Sequence, residues 1–103
     1  MVKIVWTDSA IQDLNDIGDY IEKDSFRYAE ITVFELFESV DILESYPKAG
    51  TIVPEFKDDS IRQIVRGNYR TVYQFIVEFR IEILTVHNCA RLLSNISPFK
   101  VAK

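Results

Sequence analysis

Apolar residues recur along this chain with two different periods, and the change between them divides it. Val2, Ile4 and Trp6 alternate with Lys3 and Val5, which predicts a short first strand. Thr7 or Asp8 then caps a helix, because either side-chain oxygen can accept one of the orphan N–H groups of a first turn. Ala10, Leu14, Ile17 and Ile21 follow at helical spacing and form one apolar stripe, with Gln12, Asp13, Asp16, Asp19 and Glu22 on the opposite, solvated face. Asp24-Ser25 interrupts the pattern and offers a second cap. Ala29, Val33, Leu36, Val40 and Leu43 then repeat the spacing over a longer helix that Tyr46-Pro47 ends, since a residue before proline is pushed out of the helical region. Few residues separate the two helices, so an antiparallel helical hairpin is expected.

The second helix carries more apolar bulk than one buried stripe requires, at Phe26, Phe34, Phe37 and Ile42. Two readings account for it: a helix covered on two sides, or an exposed groove for a partner segment. Residues 47–59, with Gly50, Pro54 and Asp58-Asp59, read as a loop. Beyond it the period falls to 2. Ile61–Arg66, Tyr69–Glu78 and Ile81–His87 are expected strands, joined by turns at Gly67-Asn68 and Glu78-Phe79-Arg80. In the middle strand Tyr69, Thr71, Tyr73, Phe75 and Val77 form the face expected beneath the helices, with Arg70, Val72, Gln74 and Ile76 opposite. Arg62 and Arg66 share a face of their strand, and Arg70 joins them if the register permits. Leu93, Ile96, Phe99 and Val101 make the tail from Leu92 mildly apolar, without indicating its conformation. The whole is a single domain, residues 1–103, of α+β class: an N-terminal strand and a helical hairpin packed on a small antiparallel β-sheet.

Charge changes this picture by dividing it. Residues 1–59 hold five basic and fourteen acidic side chains, whereas residues 60–103 hold seven basic and two acidic. The net charge of −4 argues mildly against a nucleic-acid binder, but an acidic front joined to a basic back is the asymmetry of a partner surface, or of helices that favour Glu and Asp. Cys89 is the only cysteine, so no internal disulfide can form and a reducing compartment is the default. No apolar run approaches the ~18 residues of a membrane helix, and the opening is too short for a signal peptide, so a cytoplasmic setting with no membrane partner is expected.

One histidine and one cysteine cannot supply a structural zinc shell, and three dispersed glycines make no phosphate loop, so neither metal nor cofactor is expected. A phosphate-handling surface is better provided for. Metal-free RNA cleavage needs a base, an acid and a cation for the phosphorane, and Glu55, His87 and Arg70 are of those types. Arg62, Arg66 and Arg91 add planar forks suited to phosphate or to a target surface. The plainer alternative pairs Arg70 with an acidic residue that holds the loop.

From Trp6 to Arg91 the chain resembles the ParE/RelE superfamily of toxins from bacterial type II toxin–antitoxin systems. The resemblance is carried by Trp6-Thr7 with Ala10, by Asp13-Leu14, Ile17, Tyr20-Ile21 and Ala29, and by Leu43, Pro47, Gly50 and Val53-Pro54-Glu55. It continues through Ile61-Arg62, Tyr69-Arg70, Tyr73, the apolar strand Ile81–Val86, and His87 with Arg91 four residues on. It implies a helical hairpin on a small sheet, and a cytoplasmic toxin held inactive by a cognate antitoxin that folds on contact. Phe26, Phe34 and Phe37 are then candidate antitoxin-binding residues.

Two mechanisms occur in the superfamily. RelE-like toxins are ribosome-dependent mRNA endonucleases, for which Glu55, Arg70 and His87 match catalytic positions of some members. ParE-like toxins bind DNA gyrase without chemistry of their own. The acidic total, the long hairpin with its Asp-Leu, Ile and Tyr-Ile pattern, Thr51 where many relatives place arginine, and Asn88 where some nucleases place tyrosine all favour the ParE branch. The mRNA interferase, and a non-toxic peptide-binding module of the same fold, remain the alternatives.

Overall fold

A computed structural model describes residues 2–77 and 80–89, with backbone alone at Val77. Strand β1 (Lys3–Trp6) leads into helix α1 (Asp8–Glu22) and helix α2 (Phe26–Glu38). A 3-10 turn (Asp41–Glu44) and the short strand β2 (Thr51–Ile52) follow, then β3 (Ile61–Arg66), β4 (Tyr69–Val77) and β5 (Arg80–Asn88). The five strands are ordered β1-β5-β4-β3-β2. Strands β2 to β5 pair antiparallel in sequence, and β1 joins the far edge parallel to β5, Ile4 opposite Ile81 and Trp6 opposite Ile83. Both helices lie on one sheet face, as the α+β expectation requires.

Thr7, not Asp8, is the cap: its hydroxyl accepts from Ala10 N at 3.2 Å and donates to the Ile83 carbonyl at 2.6 Å, so one side chain both starts α1 and ties it to β5. Ser25 caps α2 through Tyr28 N. The second helix ends at Glu38, well before Tyr46-Pro47. The Ser39 hydroxyl donates to the Leu36 carbonyl at 2.7 Å, the back-bonding that competes with helical continuation. Val40 and Leu43 are nonetheless buried, because their three-residue spacing suits the 3-10 turn that replaces the last helical turn. Strand β2 falls inside the expected loop, pairing Thr51 with Gln63 and Ile52 with Arg62. Arg80, expected in a turn, is the first residue of β5, paired with Val77. The rest of that turn, together with Arg91 and the tail, lies outside the described residues.

Tyr69, Tyr73 and Phe75 face the helices, as the alternation predicts. Tyr73 is fully buried with Ala10, Val40, Leu43, Ile81 and Ile83, and Tyr69 packs beside Leu14, Leu36 and Val86. A smaller cluster on the opposite face joins Val53 and Val72 with Phe56, Ile61 and Leu84, so residues 53–56 cover the sheet there. The Tyr73 hydroxyl fixes the start of that segment, donating to Pro47 O at 3.0 Å and accepting from Gly50 N at 3.1 Å. A Cβ on Gly50 would stand 2.5 Å from the Gln63 carbonyl, so only glycine fits.

Candidate functional site

Glu55, Arg70 and His87 come together on the sheet face away from the helices. Gly67, at φ +61°, opens a two-residue turn that pairs Arg66 with Tyr69 and Val65 with Arg70. The next pairing puts Arg70 directly opposite His87. Val53 and Phe56, anchored on Val72, hold Glu55 above them. Arg70 donates from Nη1 and Nη2 to the two Glu55 oxygens at 3.3 and 2.5 Å, from Nη1 to Gln63 Oε1 at 2.8 Å, and from Nε to His87 Nε2 at 3.1 Å. The Arg70 side chain is 8% exposed and that of Glu55 21%. His87 is buried as well.

The chemistry follows from these bonds. His87 Nε2 accepts from the Arg70 guanidinium, so in this arrangement that nitrogen is turned to the cation and not to a leaving group. The Glu55 carboxylate is engaged bidentately and its charge is balanced by the guanidinium. Arg70 in turn directs its donors inward. As it stands, the cluster ties the 53–56 segment to the sheet.

The arginines expected beside Arg70 are not there. Arg62 stands opposite Tyr73 and Arg66 opposite Tyr69, which places both on the helix face and Arg70 on the other. Arg62 is committed to the loop, donating to Asp59 O and Gly50 O at 3.0 Å each. Arg66 is exposed at the β3–β4 turn, beside a cleft it shares with Tyr28, Thr32 and Glu35. Two contributors went unread in the sequence. Gln63 faces Arg70 because it alternates with Val65, and that follows only once the register is known. Asp13, read as solvated, accepts at Oδ2 from the Thr85 hydroxyl and from Val86 N at 3.0 Å, joining α1 to the end of β5 beside His87. Near it the Tyr69 hydroxyl is held above its ordinary pKa by burial, and further by Tyr28 and Tyr20.

A second surface lies on the outer side of the hairpin. Phe26, Phe34 and Phe37 are 61%, 60% and 50% exposed, and they line a groove of about 780 Å³ between the helices with Leu14, Gly18, Ala29 and Val33. Phe37 stacks on Trp6 with ring centres 5.2 Å apart. Covering on two sides therefore does not explain the surplus aromatics of α2. No described helix is long and apolar enough to cross a membrane.

The fold has close counterparts among known structures. It superposes on a chain of the chromosomal ParDE toxin–antitoxin system of P. aeruginosa with a TM-score of 0.69, at 23% identity over 85% of this chain and 96% of that one. A chain of the toxin–antitoxin complex RelBE2 of Mycobacterium tuberculosis matches with a TM-score of 0.52, at 21% identity over 84% and 96%. In sequence, the Sinorhizobium fredii protein named "Putative toxin Y4kP" is 33% identical over 84 residues, 82% of this chain and 84% of the relative. Toxin RelE2 of Caulobacter vibrioides is 27% identical over 92 residues, 89% of this chain and the full length of the relative. Residues 4–93 match the model of the ParE toxin of type II toxin–antitoxin systems. With the hairpin, the five-stranded sheet and nine-tenths of the sequence in agreement, the chain belongs to that ParE toxin family, within the ParE/RelE superfamily.

Proposed function

We propose that this toxin stops bacterial growth by binding DNA gyrase, without chemistry of its own, and that a cognate antitoxin in the same cytoplasm neutralises it through the α1–α2 groove. The observation that carries the reading is the inward, charge-balanced Arg70 cluster. A metal-free nuclease needs a proton acceptor, a proton donor and a cation presented to one phosphate. Here the base is bound by the cation, the histidine Nε2 is engaged by the same cation, and that cation is 8% exposed. Among the described residues, Arg62 and Arg66 lie on the sheet face opposite to that of Arg70. Exposed aromatics lining a continuous groove support the antitoxin site, since such patches are rarely left open on a protein that works alone.

One observation favours the ribosome-dependent mRNA interferase as second reading: the three residue types that chemistry requires do converge. Two assays separate the readings. The purified toxin is added to gyrase supercoiling relaxed plasmid, and to a translation extract in which mRNA cleavage is mapped. Gyrase binding predicts lost supercoiling with intact mRNA, and His87→Gln, which keeps an acceptor for Arg70, retains full potency. Cleavage of translated mRNA that His87→Gln abolishes would establish the interferase instead. No effect in either assay would leave a non-toxic binding module.

A further inference from the structure

The apolar floor of the α1–α2 groove is rimmed by carboxylates, Asp19 and Glu22 on α1 and Glu30 on α2. All three are exposed, and none is in a salt bridge among the described residues. Residues 8–38 carry nine acidic side chains against two basic ones, Lys23 and Arg27. Among the described residues the rim is therefore a net negative field around an apolar trough. Any occupant that covers Phe26 and Phe34 must lie alongside it. A segment with acidic flanks would add repulsion, and a second copy of this chain docked hairpin to hairpin would bring an equally acidic rim. Lysine or arginine flanks would relieve the repulsion, while their aliphatic stems extend the apolar contact.

We propose that the groove selects an apolar segment flanked by lysines or arginines, with Asp19, Glu22 and Glu30 as the residues that set this specificity. The proposal rests on the reading of the groove as the antitoxin site and states the chemistry of the antitoxin segment it takes. At α1's 15 residues the trough accommodates about four turns of helix. Each rim pair is worth about a two- to five-fold gain in affinity at low salt, and three together on the order of ten- to a hundred-fold, falling as salt screens them.

The probes are two fluorescein-labelled 16-residue peptides with the same leucine stripe, one flanked by lysines and one by glutamates. Their binding to the full chain is read by fluorescence anisotropy in 50 mM and 500 mM salt. The lysine peptide should bind at least ten-fold tighter at low salt and lose most of that advantage at high salt. The triple variant Asp19→Lys, Glu22→Lys, Glu30→Lys should invert the order, and Phe34→Ser should abolish binding of the lysine peptide. Equal binding of both peptides that is insensitive to salt and lost in Phe34→Ser overturns the charge rule while the groove survives as a docking site. Lysine-peptide binding that persists in Phe34→Ser overturns it too, because the attraction would be to the surface and not to the trough. Binding of neither peptide removes both the proposal and the antitoxin reading. So does a toxin dimer that Phe34→Ser dissociates, which would assign the groove to a second copy.

Discussion

Glu55→Gln tests whether the Arg70 cluster is a structural tie. The substitution keeps the size and one acceptor oxygen of residue 55 but removes the charge that balances a guanidinium only 8% exposed. Removing one partner of a fully buried ion pair costs about 3–5 kcal/mol, because the other charge is left desolvated. Glu55 is 21% exposed, so water recovers part of that loss, and roughly 2–3 kcal/mol is expected. In a domain of this size that lowers Tm by roughly 8–20 °C. Arg70→Met alone should cost less, since the freed Glu55 can turn toward water. The double variant Glu55→Gln, Arg70→Met should fall short of the sum of the two single losses by about 1–3 kcal/mol. Urea unfolding followed by Trp6 fluorescence gives all four stabilities. If Glu55→Gln lies within about 0.5 kcal/mol of the parent, the pair contributes nothing measurable to the fold and its inward geometry is no argument against catalysis.

The remaining predictions concern the rest of the scaffold. Thr71 is 1% exposed and its hydroxyl has no hydrogen-bond partner among the described residues, so Thr71→Val should leave urea stability unchanged or raise it by up to about 1 kcal/mol. Gly50→Ala should cost more than about 2 kcal/mol in the same assay, since its Cβ meets backbone at 2.5 Å and the Tyr73 ring at 2.8 Å. Burial raises the Tyr73 pKa above that of the unfolded chain, despite the opposing Gly50 hydrogen bond and Arg62. The folded state thus holds the proton more tightly. Its contribution is complete below about pH 10 and is lost as pH rises through the higher folded value, so the urea midpoint should fall from pH 9.5 to 11. Tyr73→Phe should flatten part of that fall while costing about 1–2 kcal/mol at pH 7 through the unpaired Gly50 and Pro47 groups.

Local periodicity revealed much of this fold. The stripe from Ala10 to Ile21, the capped start of α2 and the inward face of β4 all follow from spacing alone. What escaped depends on neighbours distant in sequence or on single competing hydrogen bonds. Ser39 ends α2 through its own hydroxyl, although the apolar repeat runs on to Leu43. Strand β1 joins β5 across more than seventy intervening residues, a parallel pairing that no local pattern announces. The site was half legible for a similar reason. The residue types were correct, but an even spacing marks a common face only within one strand. Across the two-residue turn Arg66 pairs with Tyr69, so Arg66 and Arg70, four apart, fall on opposite faces. Likewise Phe26 and Phe34 could be read as core or as groove, because helical spacing does not say how many sides of a helix are covered.

The most direct test of the account is a pulse-labelling experiment in bacteria in the first minutes after the gene is induced without antitoxin, following thymidine and methionine incorporation in parallel. Gyrase binding predicts that DNA synthesis falls first while methionine incorporation continues. An immediate stop in methionine incorporation with DNA synthesis still running would contradict it and return Glu55, Arg70 and His87 to the role of a catalytic site.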